Sequence, residues 1–183
     1  MHKILFVLLI SFITIGFVFF SKNNTTEISS ISLIKKIPNI TFENLDSSPF
    51  LLNEKINSSK IIILHFWATW CGPCEVELPD LLKFYENSSL KNELELIIVA
   101  VNDDKNKVKK FLKTIPIINS KVSIVFDNGN IHQDHFGTFK LPETFLFDQN
   151  GQFLQKFQGP QNWQDSILLN QINSTKNIKI PTH

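Results

Sequence analysis

A chain of 183 residues provides one domain once a terminal segment and a linker are set aside, and 43% hydrophobic residues, gathered in short runs, suit a packed core rather than disorder. The net charge of +1 excludes a nucleic-acid partner held by phosphate neutralisation, and all 18 basic residues are lysines, which excludes bidentate guanidinium recognition. Both cysteines lie in Cys71-Gly72-Pro73-Cys74, too close together to brace distant parts of a fold.

Residues 4–20 form an apolar run behind Lys3, interrupted only by Ser11, Thr14 and Gly16. At ~1.5 Å per residue the run spans about 25 Å, short for a bilayer crossing but tolerable if flanking residues snorkel or the bilayer thins. It is apolar on all faces, terminal and followed by a polar stretch, which disfavours a core helix. No small-x-small cleavage pattern follows and no cysteine is placed for lipidation, so an uncleaved anchor over residues 1–21 is preferred to a removed signal peptide. Lys3 competes with Lys22, Lys35 and Lys36, so charge alone does not set the orientation. A segment of this kind normally delivers the following domain outward. Residues 22–36, rich in Ser, Thr and Asn, read as a flexible linker, residues 37–173 as the folded domain and 174–183 as a tail.

Within the domain, residues 39–43 and 50–52 read as a leading hairpin around Asp46-Ser47-Ser48-Pro49. Residues 61–67 are a buried strand by their β-branched and aromatic run, and a helix follows Cys71 to about Asn87 with Pro79 inside it. A second buried strand is expected over 94–101, a helix over 104–114 and a short strand over 122–126. Residues 143–147 and 152–157 form a hairpin around Asn150-Gly151, and 161–172 a closing helix. Strand-helix alternation ending in a hairpin and a helix predicts an α/β fold, a mixed sheet covered by helices on both faces with an extra hairpin at its amino-terminal end.

The chemistry converges on the end of the first buried strand. At the amino terminus of a helix, unpaired N–H groups and the helix dipole stabilise a thiolate, so Cys71 is the expected nucleophile and Cys74, one turn inward, the resolving thiol. A static buried disulfide is the plain alternative. Half a zinc site is another, but the second cysteine pair is missing, and His132 and His135 stand at no justified spacing; no metal site is expected.

The run Phe66-Trp67-Ala68-Thr69-Trp70-Cys71-Gly72-Pro73-Cys74 resembles the thioredoxin active-site sequence nearly residue for residue. Cys-Gly-Pro-Cys-x-x-Glu-x-Pro, followed by Leu141-Pro142-Glu143-Thr144-Phe145-Leu146 and Gly159-Pro160-Gln161-Asn162-Trp163, resembles the TlpA and ResA group over residues 37–172. The resemblance implies a thioredoxin-like fold and a thiol-disulfide oxidoreductase needing no cofactor beyond its redox-active disulfide. It implies a bacterial inner-membrane protein facing the periplasm, fed by a membrane thiol-electron donor and acting on exported cysteine-containing proteins such as apocytochrome c. It further implies a cis bond at Pro142, with Leu141 offering backbone groups to an extended substrate; a trans proline opening a strand is the alternative.

Other positions keep two readings. Glu77 is either a modulator of thiol acidity, as the resemblance implies, or solvated helix surface. His65 stands where thioredoxin has a buried acid, and is either a proton relay for the resolving thiol or a packed, hydrogen-bonded core histidine. Trp67 reads as core and Trp70 as an apolar lip beside the nucleophile. Gly72-Pro73 leans toward a reducing potential through the same resemblance. The rival functions are a general disulfide oxidase or isomerase, and a copper chaperone using Cys71, Cys74 and a histidine such as His135, since soft thiolates suit Cu(I). Lysines 105, 107, 109, 110 and 113 read as a solvated helix face.

Overall fold

The computed structural model describes residues 34–58, 60–115, 121–164 and 172. The expected anchor, most of the linker and the tail lie outside the described residues. Among the described residues no helix is long and apolar enough to cross a membrane.

Among the described residues the strands and longer α-helical elements follow in the order β1 (Thr41–Asn44), β2 (Pro49–Leu51), β3 (Ile61–Trp67), α1 (Gly72–Asn87), β4 (Leu94–Val101), α2 (Lys105–Leu112), β5 (Ser123–Asp127), α3 (Ile131–Phe136), β6 (Glu143–Phe147) and β7 (Phe153–Gln158). They build one mixed sheet in the order β2-β1-β5-β4-β3-β6-β7. Its parallel centre is β5-β4-β3, and β1 and β6 run antiparallel to it on either side. Every residue of β3 and β4 is buried, which is why both read as continuous apolar runs instead of alternating ones.

Because side chains alternate across a strand, the two faces collect different residues. Ile61, Ile63 and Trp67 of β3 join Leu96, Ile98 and Ala100 of β4 under α1 and α2, in a core that includes Cys74, Leu78, Leu82, Val108 and Trp163. The opposite face takes Ile62, Leu64, Phe66, Ile97 and Val99 with Phe136 of α3 and Leu52 of a 3-10 segment, Leu52–Ser58. Here Phe66 meets Phe136 at 5.1 Å and Phe145 at 5.8 Å between ring centroids.

Three features depart from the sequence reading. Helix α3 was not anticipated: six residues are too few to show a helical period. The closing helix does not begin at Gln161, because residues 161–164 are loop and turn; residues 165–171 lie outside the described residues, and Ile172 is helical and buried. The expected linker meets the domain at its end, where Phe153 N–H donates to the Lys35 carbonyl at 3.0 Å and Ile37 N–H to that of Gly151 at 2.8 Å. Gly151 itself has φ +74°, and an added Cβ would lie 2.9 Å from Ile56 Cδ1, so the turn between β6 and β7 accepts only glycine without rearrangement.

Candidate active site

Strand β3 ends at Trp67, at the carboxyl end of the sheet's parallel centre, and residues 68–70 turn the chain into α1. Cys71 is the helix N-cap, with φ −102° and ψ 98°, and its carbonyl accepts from Cys74 N–H at 2.9 Å and Glu75 N–H at 3.2 Å. Gly72 and Pro73 are exposed in the first turn, where proline's missing N–H costs no helical bond. Cys71 and Cys74 are joined as a disulfide. Their environments differ: Cys71 is 8% exposed and Cys74 fully buried, so an incoming sulfur reaches Cys71 first.

The loop carrying this motif is clamped by the segment after β4. Asp103 accepts from Thr69 N–H at 2.5 Å and from the Thr69 hydroxyl at 2.8 Å. Trp70 lies 62% exposed, its indole N–H donating to the Asn102 carbonyl at 3.2 Å. Trp67 is fully buried, 5.3 Å from the Phe111 ring.

The other side of the site comes from residues 127–142. The Leu141–Pro142 peptide bond is cis. Leu141 and Trp70 line a groove of about 350 Å³ together with Asn102, His132, Phe139 and Lys140. The position of His132 follows from Asp127. Asn130, at the N-cap of α3, is left-handed and makes no capping bond; the Asp127 carboxylate caps the helix instead, accepting from Ile131 N–H at 3.0 Å and His132 N–H at 2.6 Å. It also accepts from Gly129 N–H at 3.0 Å and holds His132 Nδ1 at 2.6 Å.

His65 and Glu77 are both buried. His65 projects from β3 on the face covered by α1 and shares a hydrogen bond of 2.8 Å between Nδ1 and the hydroxyl of Thr144, its cross-strand neighbour on β6. Burial pushes its pKa down to about 3, so the ring is neutral at physiological pH; Nε2 is buried with no partner. Glu77 is 3% exposed, so it is not solvated helix surface. Its Oε1 accepts from Trp163 Nε1–H at 2.6 Å and Gln161 N–H at 3.1 Å. Burial raises its pKa, against the opposing pull of those two hydrogen bonds.

Among the described residues no three His, Cys, Asp or Glu side chains converge as a metal site. His135 is exposed on α3.

The Redoxin family profile matches residues 34–172. Thiol-disulfide oxidoreductase ResA of Bacillus cereus is 30% identical over 78% of this chain and 76% of its own. Thiol:disulfide interchange protein DsbE of Vibrio cholerae is 27% identical over 90% and 91%. The chain belongs to the Redoxin family, as a ResA-like thiol-disulfide oxidoreductase. A solved structure described as a DsbE thiol:disulfide interchange protein of Chlorobium tepidum superposes with TM-score 0.62 at 23% identity, covering 79% of this chain and 98% of that one, which shows the thioredoxin-like fold.

In this ResA-like oxidoreductase the sequence motif located Cys71 and Cys74 but missed Asp103, Asp127 and Phe139, and His132 was weighed only as a zinc ligand. The paired Asp103-Asp104 after a strand was an available helix-start signal, and Asp104 does cap α2 by accepting from Asn106 N–H and Lys107 N–H. Asp127 and His132 carry no comparable pattern.

Proposed function

We propose that this oxidoreductase works as a reductant of disulfides in exported proteins, apocytochrome c among them, while tethered to the bacterial inner membrane by residues 4–20 with its domain on the periplasmic side. The observation that carries the reading is the unequal pair: Cys71 at a helix amino terminus, next in the chain to a tryptophan that lines an open groove, bonded to a fully buried Cys74. Unpaired N–H groups and the helix dipole favour a thiolate at Cys71 once the pair is reduced. That thiolate attacks one sulfur of the partner's disulfide; the other sulfur leaves as a thiolate and takes a proton from solvent. Cys74, deprotonated, then attacks Cys71 Sγ, expels the second partner thiol and closes the Cys71–Cys74 disulfide. Two electrons have passed to the partner, and a membrane dithiol donor returns them. The Gly72-Pro73 spacer, which thioredoxin shares, supports the reducing direction. Leu141, ahead of the cis bond and lining the groove, would pair with the partner's extended backbone, and Glu77, one turn beyond Cys74, would adjust thiol acidity.

The test is the redox state of the pair in living cells together with trapping by Cys74→Ser. A reducing role requires mostly dithiol at steady state and mixed disulfides between Cys71 and exported cysteine proteins. A pair that is mostly disulfide, trapping proteins in the course of their own oxidation, would establish the oxidase reading instead. Cys71→Ser should lower exchange with small disulfides at least about thousandfold.

A further inference from the structure

The groove lined by Trp70, the residue before Cys71, combines apolar, polar and charged groups in a way the exchange reaction itself does not require. Trp70 and Phe139, which both line it, are 62% and 78% exposed. Large apolar side chains left in water around one groove mark a surface that is covered in use. The polar wall is rigid: His132 is held by the fully buried Asp127, and Asn102 N–H donates to the Asp127 carbonyl at 2.9 Å.

The formal charge on that lining is lopsided. Lys140 is exposed and lines the groove, and among the described residues no hydrogen bond or ion pair engages its ammonium. Among the described residues no carboxylate lines it. The neighbouring acids are committed elsewhere: Asp103 to Thr69, Asp127 to His132 and the start of α3, and Glu143 to Lys156, whose Nζ stands 2.9 Å from its carboxylate. Asp134 is exposed on α3 but is not part of the lining. Lys140 also immediately precedes Leu141 and the cis bond. Its flexible four-carbon stem therefore carries a cation to the segment against which a partner's backbone would lie.

We propose that the groove selects partner segments carrying a carboxylate beside their reacting cysteine, with Lys140 reading the charge while Trp70 and Phe139 cover the apolar part of the segment. This rests on the exchange of protein disulfides proposed above and adds which sequences the site prefers. Apolar cover around an ion pair lowers the local dielectric and strengthens it relative to open water.

The experiment uses the full-length protein in detergent, reduced, with a set of short oxidised peptides identical except for Asp, Asn or Lys next to the cysteine. The expected order of kcat/KM is Asp above Asn above Lys, with roughly three- to tenfold between the extremes at low ionic strength, converging at 1 M salt. In Lys140→Glu the order should reverse, and in Lys140→Gln the three peptides should react alike. Equal rates in the wild-type protein, or an unchanged order in Lys140→Glu, would overturn the inference while leaving protein-disulfide exchange intact. Failure to reduce any of the peptides would remove both.

Discussion

The half of the site that carries the sulfurs comes from one unbroken stretch, Phe66 to Pro79, whereas the half facing it is gathered from three loops, at residues 102–104, 127–130 and 137–142. In the first half, the placing of the sulfurs follows from local order: a buried strand ends, a proline-containing turn begins a helix, and the cysteine at the junction is that helix's N-cap, its side chain making no capping hydrogen bond. In the second, position depends on hydrogen bonds between residues far apart in the chain, such as Asp103 to Thr69. The contiguous half holds the redox-active pair, and in the function proposed above the assembled half would set where a partner lies.

Removing the centre of the assembled half should therefore have the largest effect on stability. Asp127→Ala leaves Ile131 N–H, His132 N–H and the His132 imidazole without their acceptor, in a place where the carboxylate is fully buried. The two donors on His132 are buried and each costs about 1–3 kcal/mol when orphaned, so a loss of at least about 2 kcal/mol is expected by urea denaturation of the oxidised protein. The contiguous half should survive this change: at temperatures where the variant is folded, Cys71 should still exchange with a small disulfide. If that reaction collapsed along with the stability, the two halves would not be separable.

His65 tests the contiguous half from below. Its folded pKa is lowered from 6.5 to about 3 by burial, so between those values the unfolded chain binds a proton that the folded protein refuses. The sign follows: the group costs nothing above pH 6.5, and stability falls as pH drops from there toward 3. The slope attributable to this one residue approaches about 1.4 kcal/mol per pH unit. His65→Asn should flatten the wild-type stability curve across that window, read from urea midpoints between pH 7 and 4. The same variant examines the relay. A ring that is neutral because it is desolvated is a poor proton acceptor, so the pH dependence of exchange above pH 6 should be nearly the same in His65→Asn; a clear shift there would restore the relay.

What could be read in advance divides along the same line. Strands β3 and β4 were readable to the residue because both faces are buried and every position is apolar or packed, leaving an uninterrupted run with sharp ends. The hairpins were readable from their turns, Asp46-Ser47-Ser48-Pro49 and Asn150-Gly151. Helix α3 was not, since its start is capped by Asp127 from the end of the preceding strand rather than by the residue at its N-cap. Phe139 carried no signal either: an exposed phenylalanine is informative only once its neighbours in space, Trp70 and Leu141, are known.

Glu77 belongs to both halves of this division and offers the smallest effect and the finest distinction. Its position after Cys74 was visible, but its burial depends on Gln161 and Trp163, more than eighty positions away in the chain. Trp163 in turn stacks on Phe84 of α1 at 5.7 Å, so this contact fixes α1 against the loop that follows β7. Because burial raises the pKa of Glu77, the folded state holds its proton more firmly than the unfolded state does. That contribution is complete below about pH 4.5 and is lost as pH rises through the raised value. A glutamine keeps the Oε1 acceptor for both hydrogen bonds and cannot ionise. Glu77→Gln should therefore match the wild-type protein near pH 4 to within about 1 kcal/mol, the net worth of one hydrogen bond. The difference should move in favour of the glutamine as pH increases. Denaturation midpoints of the oxidised pair of proteins from pH 4 to 8 measure this directly, and a difference that stays flat or runs the other way would mean that the carboxylate is better accommodated than its burial implies. Thiol titration of the reduced proteins then separates packing from chemistry: if the carboxylate acts on the cysteines as a nearby negative charge, the glutamine variant should have the more acidic Cys pair, whereas a purely structural Glu77 would leave the thiol titration unmoved.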